Sequence, residues 1–178
     1  MLKTNRLESK ASTINPKRVL LLMRHAKTES PYSLKRDFDR SLTTQGEQDA
    51  RQMGAWLKAQ SLSIDAVLSS TAKRTRQTTE RIAEQLGLNP SAINYLDDLY
   101  HAQTDVFFKT ICTVPDEIQT LMIVSHNDGI THFANMLTDA RIDYMQPGSV
   151  FVAKSDCETW ESFKESEREF VLYKQPGK

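Results

Sequence analysis

Val19-Leu20-Leu21-Leu22-Met23-Arg24-His25 decides the fold. Five apolar residues run without a break and then stop at two polar ones. An uninterrupted apolar run of strand length is the pattern of a strand buried on both faces, as found in parallel sheets covered by helices. The same pattern returns at Ala66-Val67-Leu68, which leads into Ser69-Ser70-Thr71, and at Leu121-Met122-Ile123-Val124, which ends at Ser125-His126-Asn127. Ile93 to Leu96 reads as a shorter strand ending at Asp97-Asp98.

Helical segments separate these runs. Thr44-Gln45-Gly46-Glu47 matches a capping box, with Thr43 a neighbouring cap candidate. Ala50, Met53 and Leu57 then recur at helical spacing to about residue 59, and Trp56 widens that face. A second helix is predicted over about 72–86, with Ile82 and Leu86 on one side, Gly87 as a left-handed stop and Pro90 beyond it. Thr104 is a candidate cap for a helix to about 112, and Ile130, Phe133, Ala134 and Leu137 mark another. Val150 to Ala153 and Phe170 to Tyr173 read as two last strands, an antiparallel pair, with the charged stretch 154–168 as an excursion between them. Residues 27–42 read as a long loop of the functional or mobile kind.

Strands alternating with helices predict an α/β three-layer sandwich: a mostly parallel, mixed sheet with helices on both faces. Ligands of such sheets lie beyond the carboxyl ends of the strands. Arg24-His25, Ser70 to Arg74, Asp97-Asp98 and His126 each follow a strand, so the fold predicts that they converge on one edge.

Composition bounds the rest. The chain has 178 residues, 39% of them apolar and 26% charged, with 23 Lys plus Arg against 23 Asp plus Glu. We read residues 1–17 as a polar N-terminal extension and 18–178 as one domain, a length that buries a core without staples. Zero net charge gives no global attraction to nucleic acid or an anionic membrane, so neither is expected as a partner and an anionic ligand must be drawn in locally. No apolar run reaches the ~18 residues of a membrane span, and the N-terminus lacks the apolar middle of a signal peptide. Cys112 and Cys157 form no CxxC or zinc spacing and read as free thiols of a cytoplasmic protein.

Taken singly, the polar clusters are ambiguous. An imidazole at a strand end is a competent nucleophile, and an adjacent arginine fits phosphate oxygens, but a structural histidine beside a surface cation reads the same. Ser69 to Thr78 opens a helix, whose free N–H groups and dipole favour an anion. It is equally a capped, solvent-facing basic turn. His126 is either a second phosphate-binding group or a buried, satisfied histidine. A metal site is not expected: His126 and His132 do not share a helix face, and no cysteine or carboxylate set completes them.

In combination the motifs are specific. Leu22-Met23-Arg24-His25-Ala26, the run Asp37-Phe38-Asp39-Arg40-Ser41-Leu42-Thr43-Thr44-Gln45-Gly46, then Ser70-Thr71-Ala72-Lys73-Arg74-Thr75-Arg76-Gln77-Thr78, and Ser125-His126-Asn127-Asp128-Gly129 follow in order. Over about residues 18–138 the chain resembles the histidine phosphatase superfamily, in its short branch of SixA-like phosphohistidine phosphatases. The resemblance implies a phosphoglycerate-mutase-like fold and a metal-independent, cofactor-free phosphatase. It implies His25 as the nucleophile that becomes phosphohistidine, with Arg24, Arg74 and His126 binding phosphate. Asp98 is the nearest match to the family's acid, one methylene shorter than the usual Glu, with Tyr100 and His101 as wall residues. Ala26 replaces the usual Gly, so this position needs no positive φ; Asp128 replaces the common Pro and puts an anion near the pocket that either repels phosphate or serves as the acid in place of Asp98. Arg76 is the rival to Arg74. The expected substrate is phosphohistidine in a protein. The alternatives are a small-molecule phosphomonoesterase with the same site and a non-catalytic phosphate-binding module. The oligomeric state is not legible.

Overall fold

The computed structural model describes residues 17–32 and 34–177. The expected N-terminal extension therefore lies outside the described residues, apart from Lys17. The strands are β1 (Arg18–Arg24), β2 (Ala66–Ser70), β3 (Ile93–Leu96), β4 (Thr120–Ser125), β5 (Val150–Ser155) and β6 (Glu169–Lys174). The α-helices are α1 (Thr44–Ala59), α2 (Lys73–Leu86), α3 (Thr104–Ile111) and α4 (Gly129–Leu137). The strands form one six-stranded sheet in the order β3-β2-β4-β1-β5-β6. β1 to β4 pair in parallel, while β5 pairs antiparallel with both β1 and β6.

The two-sided burial of β1 explains its unbroken apolar run. Successive side chains point to opposite faces. Leu20 and Leu22 enter one core with Leu121, Ile123, Phe107 and Phe133. Leu21 and Met23 enter the other with Met122, Val124, Met53, Leu57 and Ile82. The first core is covered by α3 and α4 and the second by α1 and α2, which makes the three layers.

Local details depart from the sequence reading. The cap of α1 is Thr43, whose hydroxyl accepts from Gly46 N at 3.1 Å, and Thr44 is already helical. Thr104 likewise lies inside α3, whose N-cap is Gln103. Gly87 is the left-handed C-cap of α2, φ 69°. The charged excursion before β6 is less solvated than its composition suggests. Trp160 and Phe163 are fully buried in the α3/α4 core, and the indole N–H donates to Ile118 O at 2.7 Å. Two aromatics among charged neighbours are enough to fasten the segment, because each buries a large apolar area.

Glycine matters where α1 meets the loop that follows β1. A Cβ on Gly46 would lie 2.0 Å from Lys27 O, so only glycine lets the helix approach that backbone. The loop thus returns close to where it began. An isolated antiparallel bridge, Thr28 to Leu42, closes it, and a 3-10 turn at Asp37–Asp39 forms its tip.

Candidate active site

β1 and β4 are adjacent and parallel with Arg24 opposite Ser125, so the next residue on each, His25 and His126, emerges at the same level. His25 N donates to Ser125 O at 3.1 Å, and the two imidazole centroids are 5.2 Å apart. β2 ends at Ser70 and α2 starts three residues later, which brings Arg74 onto the first helical turn beside them. The carboxyl ends of three parallel strands therefore deliver both histidines and this arginine to one edge of the sheet.

His25 is buried, and its Nδ1 lies 2.8 Å from Ala26 O. A carbonyl only accepts, so Nδ1 carries the proton and Nε2 keeps its lone pair. Burial, aided by the charges of Arg74 and Arg24 and opposed by the Ala26 hydrogen bond, pushes the His25 pKa down to about 3. The ring is neutral at physiological pH, as a nucleophile must be. Ala26 N in turn donates to Thr78 Oγ1 at 3.0 Å, which fixes the peptide that sets this tautomer. Positive φ among non-glycine residues falls at Ser61 and His101, and not at Ala26. The Ala26 methyl instead packs with Leu42 and Ala50.

His126 is also buried, its Nε2 2.8 Å from Ser70 Oγ. Burial and the proximity of His25 and Arg74 push its pKa down to about 2. Arg24 donates to Met145 O at 2.8 Å and stacks over Tyr144, 4.6 Å from the ring centroid. Arg74, with only 2% of its side chain exposed, lies over Tyr100. Arg24 Nε, Arg74 Nε and His126 Nδ1 are buried without a hydrogen-bond partner among the described residues. Such orphaned groups are rare in folded proteins and need an explanation. These three belong to the residues expected to bind phosphate; Arg18 Nε and Ser149 Oγ are the other two among the described residues.

Other residues of the reading lie elsewhere. Arg76 is exposed on α2, donating to Thr71 O and stacking on Tyr95 at 4.2 Å. Asp98 is exposed in the 3-10 turn Asp97–Leu99, with no hydrogen bond or ion pair among the described residues. Asp128 is the exposed N-cap of α4, without a side-chain capping bond. The carboxylate that reaches Arg74 is Asp37, from the loop tip. Burial pushes the Asp37 carboxyl up, but hydrogen bonds from Tyr100 and Arg40 and the charges of Arg74 and Arg40 outweigh it and hold it well below the usual carboxylate range. Sequence reasoning noted Asp37 to Arg40 only as a motif match. The alternation of acids and arginines in a long loop after a strand was the available signal. His101, at φ 54°, brings its ring to 5.6 Å from His126 and completes an aromatic wall with Tyr100. Histidine tolerates this left-handed region better than most residues, at a cost on the order of 1 kcal/mol.

A parallel sheet edge that brings two buried histidines and a buried arginine together has the charge and donors to hold a phosphoryl group, and similarity to known proteins gives the family. The sequence profile of the histidine phosphatase superfamily (branch 1) matches residues 20–105. An uncharacterized protein of Mycobacterium leprae is 30% identical over 165 residues, 86% of this chain and 99% of that protein. This chain belongs to the histidine phosphatase superfamily. Among solved structures, a Nakamurella multipartitia protein provisionally assigned as the phosphohistidine phosphatase SixA superposes with a TM-score of 0.78. It is 28% identical, and the match covers 90% of this chain and 97% of that one. The protein histidine phosphatase SixA complexed with tungstate shares the fold, with a TM-score of 0.76 at 24% identity over 89% of this chain and 97% of that one.

Proposed function

We propose that this protein is a metal-independent phosphatase that works through a phosphohistidine on His25, and that its substrate is phosphohistidine carried by a protein. The observation that carries the reading is the His25 tautomer. Nδ1 is committed to Ala26 O, so the free lone pair is on Nε2, in a buried ring beside Arg74 and His126.

His25 Nε2 attacks phosphorus. The bond to the leaving group breaks, its electron pair departs with that group, and a proton arrives there. Water then attacks the phosphohistidine, releases orthophosphate and restores neutral His25. Arg24, Arg74 and His126 hold the non-bridging oxygens; the unpartnered Nε–H groups of the two arginines are donors that an oxyanion satisfies, and His126 Nδ1 is another in the tautomer whose Nε2 accepts from Ser70 Oγ. Phosphoryl transfer needs positioning and charge stabilisation more than covalent help, and cationic side chains can supply both. Asp98, the nearest match to the family's acid and unengaged among the described residues, is assigned to protonate the leaving group.

The protein substrate is supported by the SixA relatives and by Tyr32 and Leu34, which are fully exposed on the loop that carries Asp37. Two exposed apolar side chains on the loop that contacts Arg74 suit a protein surface better than a metabolite.

The test is transfer of labelled phosphate from a phosphohistidine protein, with p-nitrophenyl phosphate and sugar phosphates compared alongside. The expected adduct is acid-labile, absent from His25→Ala, and formed fastest from the phosphohistidine protein. Retained turnover in His25→Ala would refute the nucleophile, and preference for a sugar phosphate would move the substrate to a small phosphomonoester.

A further inference from the structure

The Asp37 carboxylate occupies Arg74, one of the groups assigned above to the phosphate. Its Oδ2 accepts from Arg74 Nη2 at 2.9 Å and from Tyr100 Oη at 2.8 Å, and lies 3.7 Å from His101 Nε2. Its Oδ1 accepts from Arg40 Nε and Nη2 at 3.0 and 2.6 Å. Its backbone carbonyl takes Arg74 Nη1 at 2.6 Å. Both terminal nitrogens of Arg74 are thus spent on one residue of the loop. A guanidinium fork, a phenol and an imidazole around two carboxylate oxygens form the donor set that a phosphoryl group requires.

The partners differ in freedom to move. Arg74 rises from α2, which is anchored by Thr78, Ile82 and Ala83 in the interior. The turn Asp37–Asp39 buries none of its residues, and the Asp37 side chain is 45% exposed. Segments with few buried apolar contacts open at the lowest cost. With Asp37 in place, 7% of His25 and 2% of His126 reach solvent.

We propose that Asp37 is an internal competitor of the substrate phosphate: a tethered carboxylate that neutralises Arg74 and sets the affinity of the pocket, and that the phosphoryl group displaces. This rests on the phosphate-binding role proposed above for Arg74. It is distinct from a positioning role, in which Asp37 would hold Arg74 in line and help the substrate bind. The two roles give opposite signs. Removing a competitor tightens anion binding, and removing an aligner weakens it.

The experiment is calorimetric titration of the purified full chain with tungstate, for wild type, Asp37→Asn and Asp37→Ala. Asp39→Asn, whose partner is the exposed Arg36, is the control. Both Asp37 variants are expected to bind tungstate at least ten-fold more tightly, on the order of 1.4 kcal/mol, with Asp39→Asn unchanged. In turnover, KM falls and kcat holds. Equal or weaker binding by both Asp37 variants overturns the competitor, and a fall in kcat with weaker binding assigns Asp37 to positioning. If neither wild type nor any variant binds tungstate, the phosphate-pocket reading fails as well. That outcome differs visibly from the loss of competition alone. The alanine variant guards against an asparagine amide that rebuilds the contact.

Discussion

Two buried neutral histidines make the fold sensitive to mild acid, by an amount the structure sets. In the unfolded chain each titrates near 6.5; folded, His25 is pushed to about 3 and His126 to about 2. A pKa depressed on folding means that the unfolded chain binds more protons, so stability falls as pH falls. The contribution is whole above the unfolded value and is lost progressively from pH 6.5 down toward pH 3. Each histidine costs about 1.4 kcal/mol per pH unit once the pH is well below 6.5, and between pH 7 and 5 the pair removes roughly 4 kcal/mol. That is a large share of the ~5–15 kcal/mol that holds a typical domain together. The assay is urea denaturation of wild type and His126→Asn at pH 7 and pH 5. The other titrating groups are common to both chains and largely cancel in the comparison. The variant should lose roughly 2 kcal/mol less than wild type between the two pH values. Equal losses in the two chains would refute the claim that His126 is buried uncharged, and with it the electrostatics of the site.

Three further outcomes follow from named contacts. Arg74→Ala should lower kcat/KM on the order of 10²–10³-fold, while Arg76→Ala, exposed and stacked on Tyr95, stays near wild type; steady-state kinetics with p-nitrophenyl phosphate reads both. Asp98→Asn should slow hydrolysis of an alkyl phosphate by at least about ten-fold and leave p-nitrophenyl phosphate nearly unaffected, because nitrophenolate departs without a proton. Gly129→Ala puts a Cβ 1.9 Å from Ala102 O and must shift either the start of α4 or the segment carrying His101. Thermal denaturation should show a loss of about 1–3 kcal/mol.

The sheet was legible because its central strands are buried on both faces. Continuous runs such as Val19 to Met23 and Leu121 to Val124 have few other readings, and each leads into a histidine of the candidate site. The placement of His25, Arg74 and His126 follows from strand ends alone. The loop over 27–42 was not legible in the same way. Its shape is held by long-range polar contacts, such as Arg74 and Tyr100 to Asp37 and Leu42 N to Gln77 Oε1, which leave no periodic trace in the sequence. The buried role of Trp160 and Phe163 was hidden for a related reason. Two aromatics among acids and lysines carry no amphipathic period, yet both are buried in the core that α3 and α4 cover.

The charge arithmetic of the chain and the geometry of the site fit together. With zero net charge, a pocket that attracts an oxyanion must concentrate cations locally and answer for them nearby. Keeping both histidines neutral leaves the positive charge on arginines, which do not titrate, so the nucleophile and the anion-binding charge are carried by different groups. Asp37 supplies the answering charge for Arg74 and Arg40 from a turn with no buried residue rather than from the sheet. A carboxylate fixed on β2 or β4 would cancel Arg74 permanently. One carried on the 3-10 turn cancels it only until a better anion arrives, so the same arginine is paired without phosphate and open to it when it binds.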